Sequence, residues 1–308
     1  MTDVLITEFL DEEALAALRT DYAVHYDPSL CEKPAEIIAL APGVPALVVR
    51  NRTQVRGEVL AAFDRLKVIG RLGVGLDNID VAAAEAKGIE VCPATGANAA
   101  SVAEYVVAAT LISLRNIWQA NEAVLAGKWP RNQLMFNEMQ GKRLGLIGFG
   151  SIGREVARRA LALGMEVVVV DRPGTDPAAF AAAGVTLVDK PTLLATSDVV
   201  SLHAPSTPET YHLIDAVAIA AMKPGAILIN SARGGMVDEV GLAAALHAGH
   251  LRAAVLDVFE DEPLKAGSGL IGVPNLLLTP HVSGVTAESN ERVSAVTVAN
   301  VKRVLGPR

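Results

Sequence analysis

Short apolar runs alternate along the chain with stretches whose apolar residues recur at helical spacing. In the first third, the pattern predicts strands at residues 4–6, 46–49 and 68–69, and a helix over residues 11–18 that begins with acidic side chains. Because strands that alternate with helices form parallel sheets covered by those helices, this pattern predicts an α/β fold.

The alternation is stronger after residue 143 and predicts a second, doubly wound parallel sheet. Strands are expected at residues 144–147, 165–170, 199–202, 226–229, 253–256 and 276–278. A mostly apolar helical segment over residues 99–126, ending near Gly127, is a candidate connector between two domains. A last helix is expected over residues 287–305.

Length and charge narrow the class of protein. The 308 residues correspond to about two domains of ~150 residues each. With 51% hydrophobic and 20% charged residues, the composition is that of an ordinary globular protein. The formal net charge is −7 and no basic cluster is present, which argues against nucleic acid as a partner.

Cysteines and apolar runs point to a cytoplasmic protein without metal. Cys31 and Cys92 cannot form a disulfide framework, and no Cys/His spacing suits zinc, so we expect both to be small buried residues and no metal to be bound. The N-terminal segment lacks a basic stretch, and no uncharged apolar run reaches the ~18 residues of a membrane span.

The clearest motif is a glycine-rich turn between a predicted strand and an amphipathic helix. Gly148, Gly150 and Gly153 form a GxGxxG in which Ser151 and Ile152 open the helix. Such glycines allow a tight turn, approach of a pyrophosphate and close helix packing, while the helix N-terminus favours the anion.

The residues that follow the next predicted strand favour NAD over NADP. Asp171 stands eighteen residues after Gly153, where a carboxylate accepts hydrogen bonds from the adenosine ribose. The adjacent Arg172 could hold a 2′-phosphate, but Asp171 would repel it. A second glycine pair, at Gly73 and Gly75, lacks the third glycine and is interpreted as a loop.

Three polar residues follow three successive predicted strands: Arg233, Glu262 and His281. Because the carboxyl ends of parallel strands meet at one edge, these side chains could face a single pocket. Together they provide a guanidinium for a carboxylate, an acid for a developing alkoxide, and a carboxylate that orients the acid. This set suits reduction of a 2-oxo acid.

Five ordered motifs resemble the D-isomer-specific 2-hydroxyacid dehydrogenases over essentially the whole chain. They are the GxGxxG, HAP at 203–205, SARGG at 231–235, DVFEDEP at 257–263 and Pro280-His281. Segments 67–80 and 101–104 are most similar to the phosphoglycerate dehydrogenase-like branch. The resemblance implies a Rossmann-type NAD-binding domain, residues 98–282, inserted into a flavodoxin-like substrate domain, residues 1–97 and 283–308, and a homodimer.

The resemblance also implies roles for single residues. Arg233 would bind the substrate carboxylate, His281 would be the acid and base, and Glu262, which directly precedes the proline, would orient the histidine and favour its protonated form. Cofactor contacts are expected from the GxGxxG and from further residues that match the family's cofactor site: Asp171, Arg172, His203, Pro205, Ala232 and Asp257. Asp257 would lie near the nicotinamide amide.

Substrate contacts are expected from the first domain as well. Arg50 and Arg52 follow a predicted strand and could meet a second anion, so a phosphorylated or sulfonated 2-hydroxy acid is favoured. Phosphoglycerate, sulfolactate and glycerate or hydroxypyruvate all remain open. The side-chain amide of Asn98 and the backbone N–H groups of the loop Leu72, Gly73, Val74 and Gly75 would complete the pocket.

Three other functions are known on the same fold and are alternatives to this one. Transcriptional corepressors that resemble this family keep the NAD site without catalysis, but they use partner-binding surfaces and this chain shows no long disordered tail. Formate oxidation is disfavoured because formate dehydrogenases generally carry glutamine where Glu262 stands. Phosphite oxidation is harder to exclude from the residues alone.

Overall fold

The computed structural model describes residues 2–117, 120–172, 174–175 and 177–307. The chain divides into two compact units. Unit 1 comprises Met1–Asn98 and Val285–Arg308, and unit 2 comprises Ala99–Gly284. Unit 2 is therefore a continuous segment inserted between the two parts of unit 1.

Unit 1 is a five-stranded parallel sheet with the strand order β2-β1-β3-β4-β5. This is the flavodoxin-like order. Helix α12 packs on β4, β5 and α1, so the last segment of the chain completes this unit. The elements are β1 Val4–Ile6, α1 Glu12–Arg19, β2 Val24–Tyr26, α2 Pro34–Leu40, β3 Ala46–Val49, α3 Gly57–Ala61, β4 Val68–Arg71, α4 Val81–Ala86, β5 Glu90–Pro93 and α12 Ala287–Leu305.

Unit 2 holds a seven-stranded sheet with the order β12-β11-β10-β9-β6-β7-β8, and all its neighbouring strands are parallel. The order reverses between β6 and β9, which is the switch point where ligands bind in doubly wound sheets. The elements are α5 Ala99–Arg115, α6 Ala120–Leu125, β6 Arg143–Ile147, α7 Ser151–Ala162, β7 Glu166–Val170, α8 Pro177–Ala182, β8 Thr186–Leu187, α9 Lys190–Thr196, β9 Val199–Leu202, α10 Ala216–Ala221, β10 Ile227–Asn230, α11 Glu239–His247, β11 Ala253–Leu256 and β12 Leu276–Leu278.

Both sheets confirm the predicted doubly wound α/β architecture. Strands β3, β9, β10 and β11 are buried at every position, as expected for parallel strands covered on both faces. Several helices begin at an aspartate whose side chain accepts N–H groups of the first turn, as Asp11 does for α1 and Asp238 does for α11.

Two local predictions are wrong. The predicted single helix over residues 99–126 ends at Arg115, because Asn116 adopts a left-handed conformation with φ of 47°, and α6 is a separate helix. Cys92 is buried as expected, but Cys31 is only partly buried and its thiol donates to the carbonyl of Pro28. Burial raises the pKa of Cys92 to about 11.

Two further observations concern only the described residues. None of their helices combines the length and apolar character needed to cross a bilayer. Within the same part of the chain, no group of three or more His, Cys, Asp or Glu side chains is arranged to hold a metal ion.

Candidate active site

The GxGxxG turn in unit 2 has the shape of a pyrophosphate cradle. Gly148 has a φ of 100°, and a Cβ atom there would lie 2.7 Å from the backbone carbonyl of His203. A Cβ at Gly153 would overlap the carbonyl oxygen of Gly148, so the helix packs closely on the turn. A Cβ at Gly150 would meet nothing within 4 Å, which leaves open space at the N-terminus of α7. These residues fit a dinucleotide.

Asp171 follows β7 directly, and one of its carboxylate oxygens accepts the backbone N–H of Arg172 at 2.9 Å. His203 follows β9, and its Nε2 lies 3.0 Å from the hydroxyl of buried Ser201. Burial of the imidazole ring lowers the pKa of His203 to about 4, so the ring is neutral near pH 7.

Arg233 sits on a turn that follows β10 and is shaped by Asn230. The side chain of Asn230 is fully buried. Its Oδ1 accepts the N–H of Ala232 at 3.0 Å and its Nδ2 donates to the carbonyl of Arg233 at 2.8 Å. Gly234 packs so closely on the backbone of Phe259 that a Cβ there would overlap the Phe259 carbonyl. The turn carrying Arg233 is thereby held against the segment that carries Glu262.

Glu262 and His281 form a pair, although nineteen residues separate them in the sequence. Nδ1 of His281 lies 2.7 Å from Oε2 of Glu262, and Oε1 of Glu262 accepts the N–H of Phe259 at 3.1 Å. The side chain of His281 is 38% exposed and that of Glu262 is 35% exposed. Because a carboxylate accepts, Nδ1 carries hydrogen, and Nε2 is the nitrogen that can gain or lose a proton.

Glu262 stays ionised at neutral pH. Burial by itself would raise the pKa of its carboxyl group, but the hydrogen bond and charge of His281, the Phe259 N–H and the charge of Arg233 together hold the pKa below its ordinary value of 4.5. The three predicted catalytic residues are therefore brought together at the carboxyl edge of one sheet and influence one another electrostatically.

The remaining predicted cofactor residues lie in the same unit. Ser151 and Ile152 form the first turn of α7, and the carbonyl of Pro205 accepts the hydroxyl of Thr210. Asp257 directly follows β11 and is fully buried. Its carboxylate already accepts hydrogen bonds from the protein at both oxygens, so any contact with a nicotinamide amide is additional to these.

In unit 1, a buried carboxylate organises the loop that carries Arg50 and Arg52. Glu8 is 4% exposed and accepts the backbone N–H groups of four successive residues, at 2.8 Å from Arg50 and 3.0 Å from Thr53. The backbone donors at the end of β3 are thus occupied by the chain itself, so contact with an external anion there would fall to side chains such as those of Arg50 and Arg52.

The two arginines differ. Nη2 of Arg50 donates to Oδ1 of Asn290 at 2.9 Å, and burial lowers the pKa of the Arg50 guanidinium, although the charge of Glu8 opposes this effect. Arg52 is exposed and pairs with Glu32. Arg50 is therefore the more rigidly placed of the two.

The loop Leu72–Gly75 is partly committed to unit 1. The N–H of Leu72 donates to Val49 and that of Gly73 donates to Arg71, each at 2.8 Å. The backbone N–H groups of this loop were expected to contact the substrate. Those of Leu72 and Gly73 are already used, so the expectation now applies to Val74 and Gly75. Oδ1 of Asn98 is buried and has no hydrogen-bond partner among the described residues, which suits a side chain that waits for a ligand.

Sequence reasoning missed the residues that hold these loops in place. Glu8, Asn230, Thr279 and Tyr105 all bond to segments that carry predicted site residues. Thr279 directly follows β12 and Glu8 lies two residues after β1, so their position after an apolar run was the available signal. Nothing in the local pattern marks Tyr105, which lies in the middle of α5.

Comparison with known proteins extends the picture to the whole chain. Residues 107–283 match the model of the D-isomer specific 2-hydroxyacid dehydrogenase NAD binding domain. The chain is 52% identical over its full length to the (S)-sulfolactate dehydrogenase of Chromohalobacter salexigens, which it also covers completely. It is 41% identical, over 97% of its length, to the D-3-phosphoglycerate dehydrogenase of Archaeoglobus fulgidus, of which it spans 56%.

A solved structure shares the fold. The D-lactate dehydrogenase of Aquifex aeolicus, determined with NAD and lactic acid, superposes with a TM-score of 0.87 at 30% identity, covering 98% of this chain and 95% of that one. The family resemblance drawn from the motifs is confirmed, and so is the assignment of NAD as cofactor. The chain belongs to the family of D-isomer specific 2-hydroxyacid dehydrogenases.

Proposed function

We propose that this protein is an NAD-dependent dehydrogenase that interconverts a doubly anionic 2-hydroxy acid of the sulfolactate class and its 2-oxo acid. The observation that carries the proposal is the His281–Glu262 pair, 2.7 Å apart, beside the Arg233 turn in the unit that contains the dinucleotide cradle. The full-length similarity to a (S)-sulfolactate dehydrogenase supports the choice of substrate class.

When bound, NAD supplies the hydride acceptor, and NADH the donor, for the carbon that bears the hydroxyl or carbonyl oxygen. Nε2 of His281 gives a proton to that oxygen during reduction and removes it during oxidation, while Nδ1 stays bonded to Glu262. Arg233 binds the substrate carboxylate through its planar, permanently charged guanidinium and polarises the adjacent carbonyl. Ionised Glu262 stabilises the imidazolium that forms on oxidation.

We assign binding of the cofactor to unit 2 and part of the recognition of the substrate to unit 1. Arg50 and Arg52 are proposed to bind the distal anion, since the backbone donors of their loop are occupied by Glu8. A sulfonate has three acceptor oxygens, which suit a guanidinium. Asn98, Val74 and Gly75 are proposed to contribute further substrate contacts from unit 1.

The stereochemical descriptors agree with this assignment. In sulfolactate, the sulfur-bearing carbon outranks the carboxylate under the priority rules, whereas the methyl group of lactate ranks below its carboxylate. The (S) form of sulfolactate consequently has the same spatial arrangement at C2 as D-lactate. A site that orients carboxylate, hydroxyl and C2 hydrogen in the D arrangement therefore accepts (S)-sulfolactate without rearrangement.

The test is NADH oxidation with matched pairs of 2-oxo acids: sulfopyruvate against pyruvate, and phosphohydroxypyruvate against hydroxypyruvate. We expect sulfopyruvate to give the highest kcat/KM, and Arg50→Ala to reduce kcat/KM for sulfopyruvate by on the order of tenfold more than for pyruvate. Equal losses on both substrates would remove Arg50 from distal recognition. Binding of NADH without turnover of any oxo acid would instead favour a NAD-sensing protein.

Preference for NADH over NADPH is proposed from Asp171. Its carboxylate would repel a 2′-phosphate and accept hydrogen bonds from a ribose. A hydrogen bond to a charged group contributes about 1.5–3 kcal/mol, which corresponds to a preference of roughly 10- to 100-fold for NADH. We expect Asp171→Ala to narrow the ratio of the two kcat/KM values by this amount. An unchanged ratio in steady-state assays would contradict the assignment.

A homodimer is proposed from an apolar face of unit 2. Helices α5 and α7 enclose a shallow groove of about 380 Å³ lined by Val107, Leu111 and Leu163, of which the two leucines are 40% and 44% exposed. Arg158, Arg159 and Glu104 also line the groove, and Arg159 pairs with Glu104 at 3.4 Å. Light scattering should give twice the chain mass, and Leu111→Glu should reduce it to that of a monomer.

A further inference from the structure

His281 has an uncommon backbone conformation that must be held by its surroundings. Its φ is 55°, in the left-handed region that few residues other than glycine adopt. Its N–H donates to the carbonyls of Asp257, at 2.8 Å, and Thr279, at 3.0 Å. If this loop relaxed, the imidazole would lose its direction relative to Glu262.

The buried carboxylate of Asp257 is the centre of the support. Its Oδ1 accepts the N–H of Val282 at 2.8 Å and the hydroxyl of Thr279 at 2.6 Å. Its Oδ2 accepts the N–H of Ser283 at 2.8 Å. The two residues after His281 and the residue two positions before it are thus bonded to the same side chain.

The chain of hydrogen bonds continues to Tyr105. The phenolic oxygen of Tyr105 lies 2.6 Å from the hydroxyl of Thr279. Because Thr279 gives its only hydroxyl hydrogen to Asp257, it must accept from Tyr105, and Tyr105 must donate. Two successive O–H donors that end on a carboxylate polarise one another and strengthen both bonds.

Tyr105 is well suited to anchor this chain. It lies on α5, a helix of seventeen residues that packs on β10 and β11, and its ring contacts the apolar core of unit 2. Burial, with the nearby charge of Asp257, raises the pKa of its hydroxyl to about 12, although the bond to Thr279 opposes the shift. The phenol therefore remains a donor throughout the working pH range.

We propose that Tyr105 is a positioning residue for the catalytic histidine, acting through Thr279 and Asp257 to fix the loop that carries His281. The proposal rests on the function proposed above for His281. Tyr105 does not touch the reacting atoms. Its hydroxyl holds Thr279, which holds the Asp257 carboxylate in the position where it accepts Val282 and Ser283.

The test compares Tyr105→Phe with Tyr22→Phe. Tyr22 is a matched control because its hydroxyl also donates a hydrogen bond, to the carbonyl of Gly306, but in unit 1. We expect Tyr105→Phe to lower kcat by about threefold to tenfold with KM for the oxo acid and Kd for NADH unchanged, which corresponds to the loss of one hydrogen bond. Tyr22→Phe should leave kcat unchanged.

Thr279 provides the test of the pathway. Thr279→Ser keeps the hydroxyl and should retain most of kcat, whereas Thr279→Val should lower it. In the Thr279→Val background, the further change Tyr105→Phe should have no effect, because the hydroxyl of Tyr105 then has no route to Asp257. Additive losses in the double variant would overturn the proposal.

Hydrogen–deuterium exchange provides a readout that does not need turnover. Tyr105→Phe should speed exchange in the peptide that covers residues 279–284, and Tyr22→Phe should not. Unchanged exchange in Tyr105→Phe overturns the proposal, and so does faster exchange with an unchanged kcat. If the wild type reduced no 2-oxo acid, the proposed function would fail, and the exchange experiment would still decide whether Tyr105 fixes the loop.

Discussion

The loop after β3 in unit 1 and the loop after β12 in unit 2 are held in place in the same way, but by networks of different extent. Each presents a basic side chain, Arg50 or His281, and each is held by a buried carboxylate that accepts successive backbone N–H groups. Glu8 follows β1, which pairs with β3, and Asp257 follows β11, which pairs with β12. In both units the support comes from the neighbouring strand.

The difference between the two loops lies in what they must fix. Glu8 holds four consecutive backbone groups and leaves the arginine side chains to reach outward, which suits binding of an anion over a range of positions. Asp257 holds fewer backbone groups but is itself held by Thr279, and His281 is held in turn by Glu262. Proton transfer tolerates less displacement of the side chain than recognition of a charge does. The loop that carries His281 is therefore held by a longer chain of hydrogen bonds.

The largest effect is expected from His281→Gln. Loss of the acid and base should lower kcat by about 10²- to 10⁴-fold, with Kd for NADH unchanged. His212→Gln is the matched control, because His212 also has a positive φ, of 46°, and its Nε2 lies 2.9 Å from Glu260 in the same acidic segment. A comparable loss in the control would show that the effect is not specific to His281 and would contradict its assignment as the acid and base.

An intermediate effect is expected from Glu8→Gln in the other loop. Replacing Oε2 by an amide NH₂ leaves the N–H of Asn51 without an acceptor and leaves the N–H of Arg52 only its longer bond, of 3.3 Å, to Oε1. This change should lower the free energy of unfolding by about 1–3 kcal/mol. The KM for sulfopyruvate should rise on the order of tenfold, with kcat unchanged.

Glu32→Gln is the control for that change. It breaks the exposed pair with Arg52, and exposed pairs contribute little to stability, so the midpoint of urea denaturation should not change measurably. If Glu8→Gln lowered kcat and left KM alone, the contrast between a recognition loop and a catalytic loop would be lost.

The smallest effect is expected on stability, from the ionisation of Glu262. The pKa of this group is lowered in the folded protein, so its stabilising contribution is present above the ordinary value of 4.5 and is lost as the pH falls through the folded value. The denaturation midpoint of the wild type should therefore approach that of Glu262→Gln only below pH 4.5. Convergence of the two midpoints already near pH 6 would show that the pKa of Glu262 is not lowered.

The central strands could be predicted from sequence because parallel strands buried on both faces consist of unbroken apolar residues. Strands β9 and β11 were placed to the residue for this reason. Three edge strands, β2, β5 and β8, were missed, since none of them is buried along its whole length and their residues include His25, Glu90 and Thr186. The edge strand β12 is also only partly buried, but it could be predicted because all three of its residues are leucine. Polar residues in short edge strands, rather than exposure by itself, therefore hide the pattern.

The site shows a similar division. Side chains with chemistry at strand ends, such as Arg233 and His281, could be predicted because the parallel sheet brings strand ends together. The side chains that hold them could not, because Tyr105 and Asn230 act through contacts between segments distant in sequence. Hydrogen-bond geometry of this kind exists only once the chain is folded.

Helix α12 has a consequence for how the molecule is made. It covers β4 and β5 of unit 1 and carries Asn290, which accepts a hydrogen bond from Arg50, yet it leaves the ribosome only after the whole of unit 2. During synthesis the first 98 residues must wait for the whole of unit 2 before their sheet is covered, whereas unit 2 can fold as soon as its own segment has emerged. The nascent chain should therefore complete unit 2, with its dinucleotide cradle, before the sheet of unit 1 is covered.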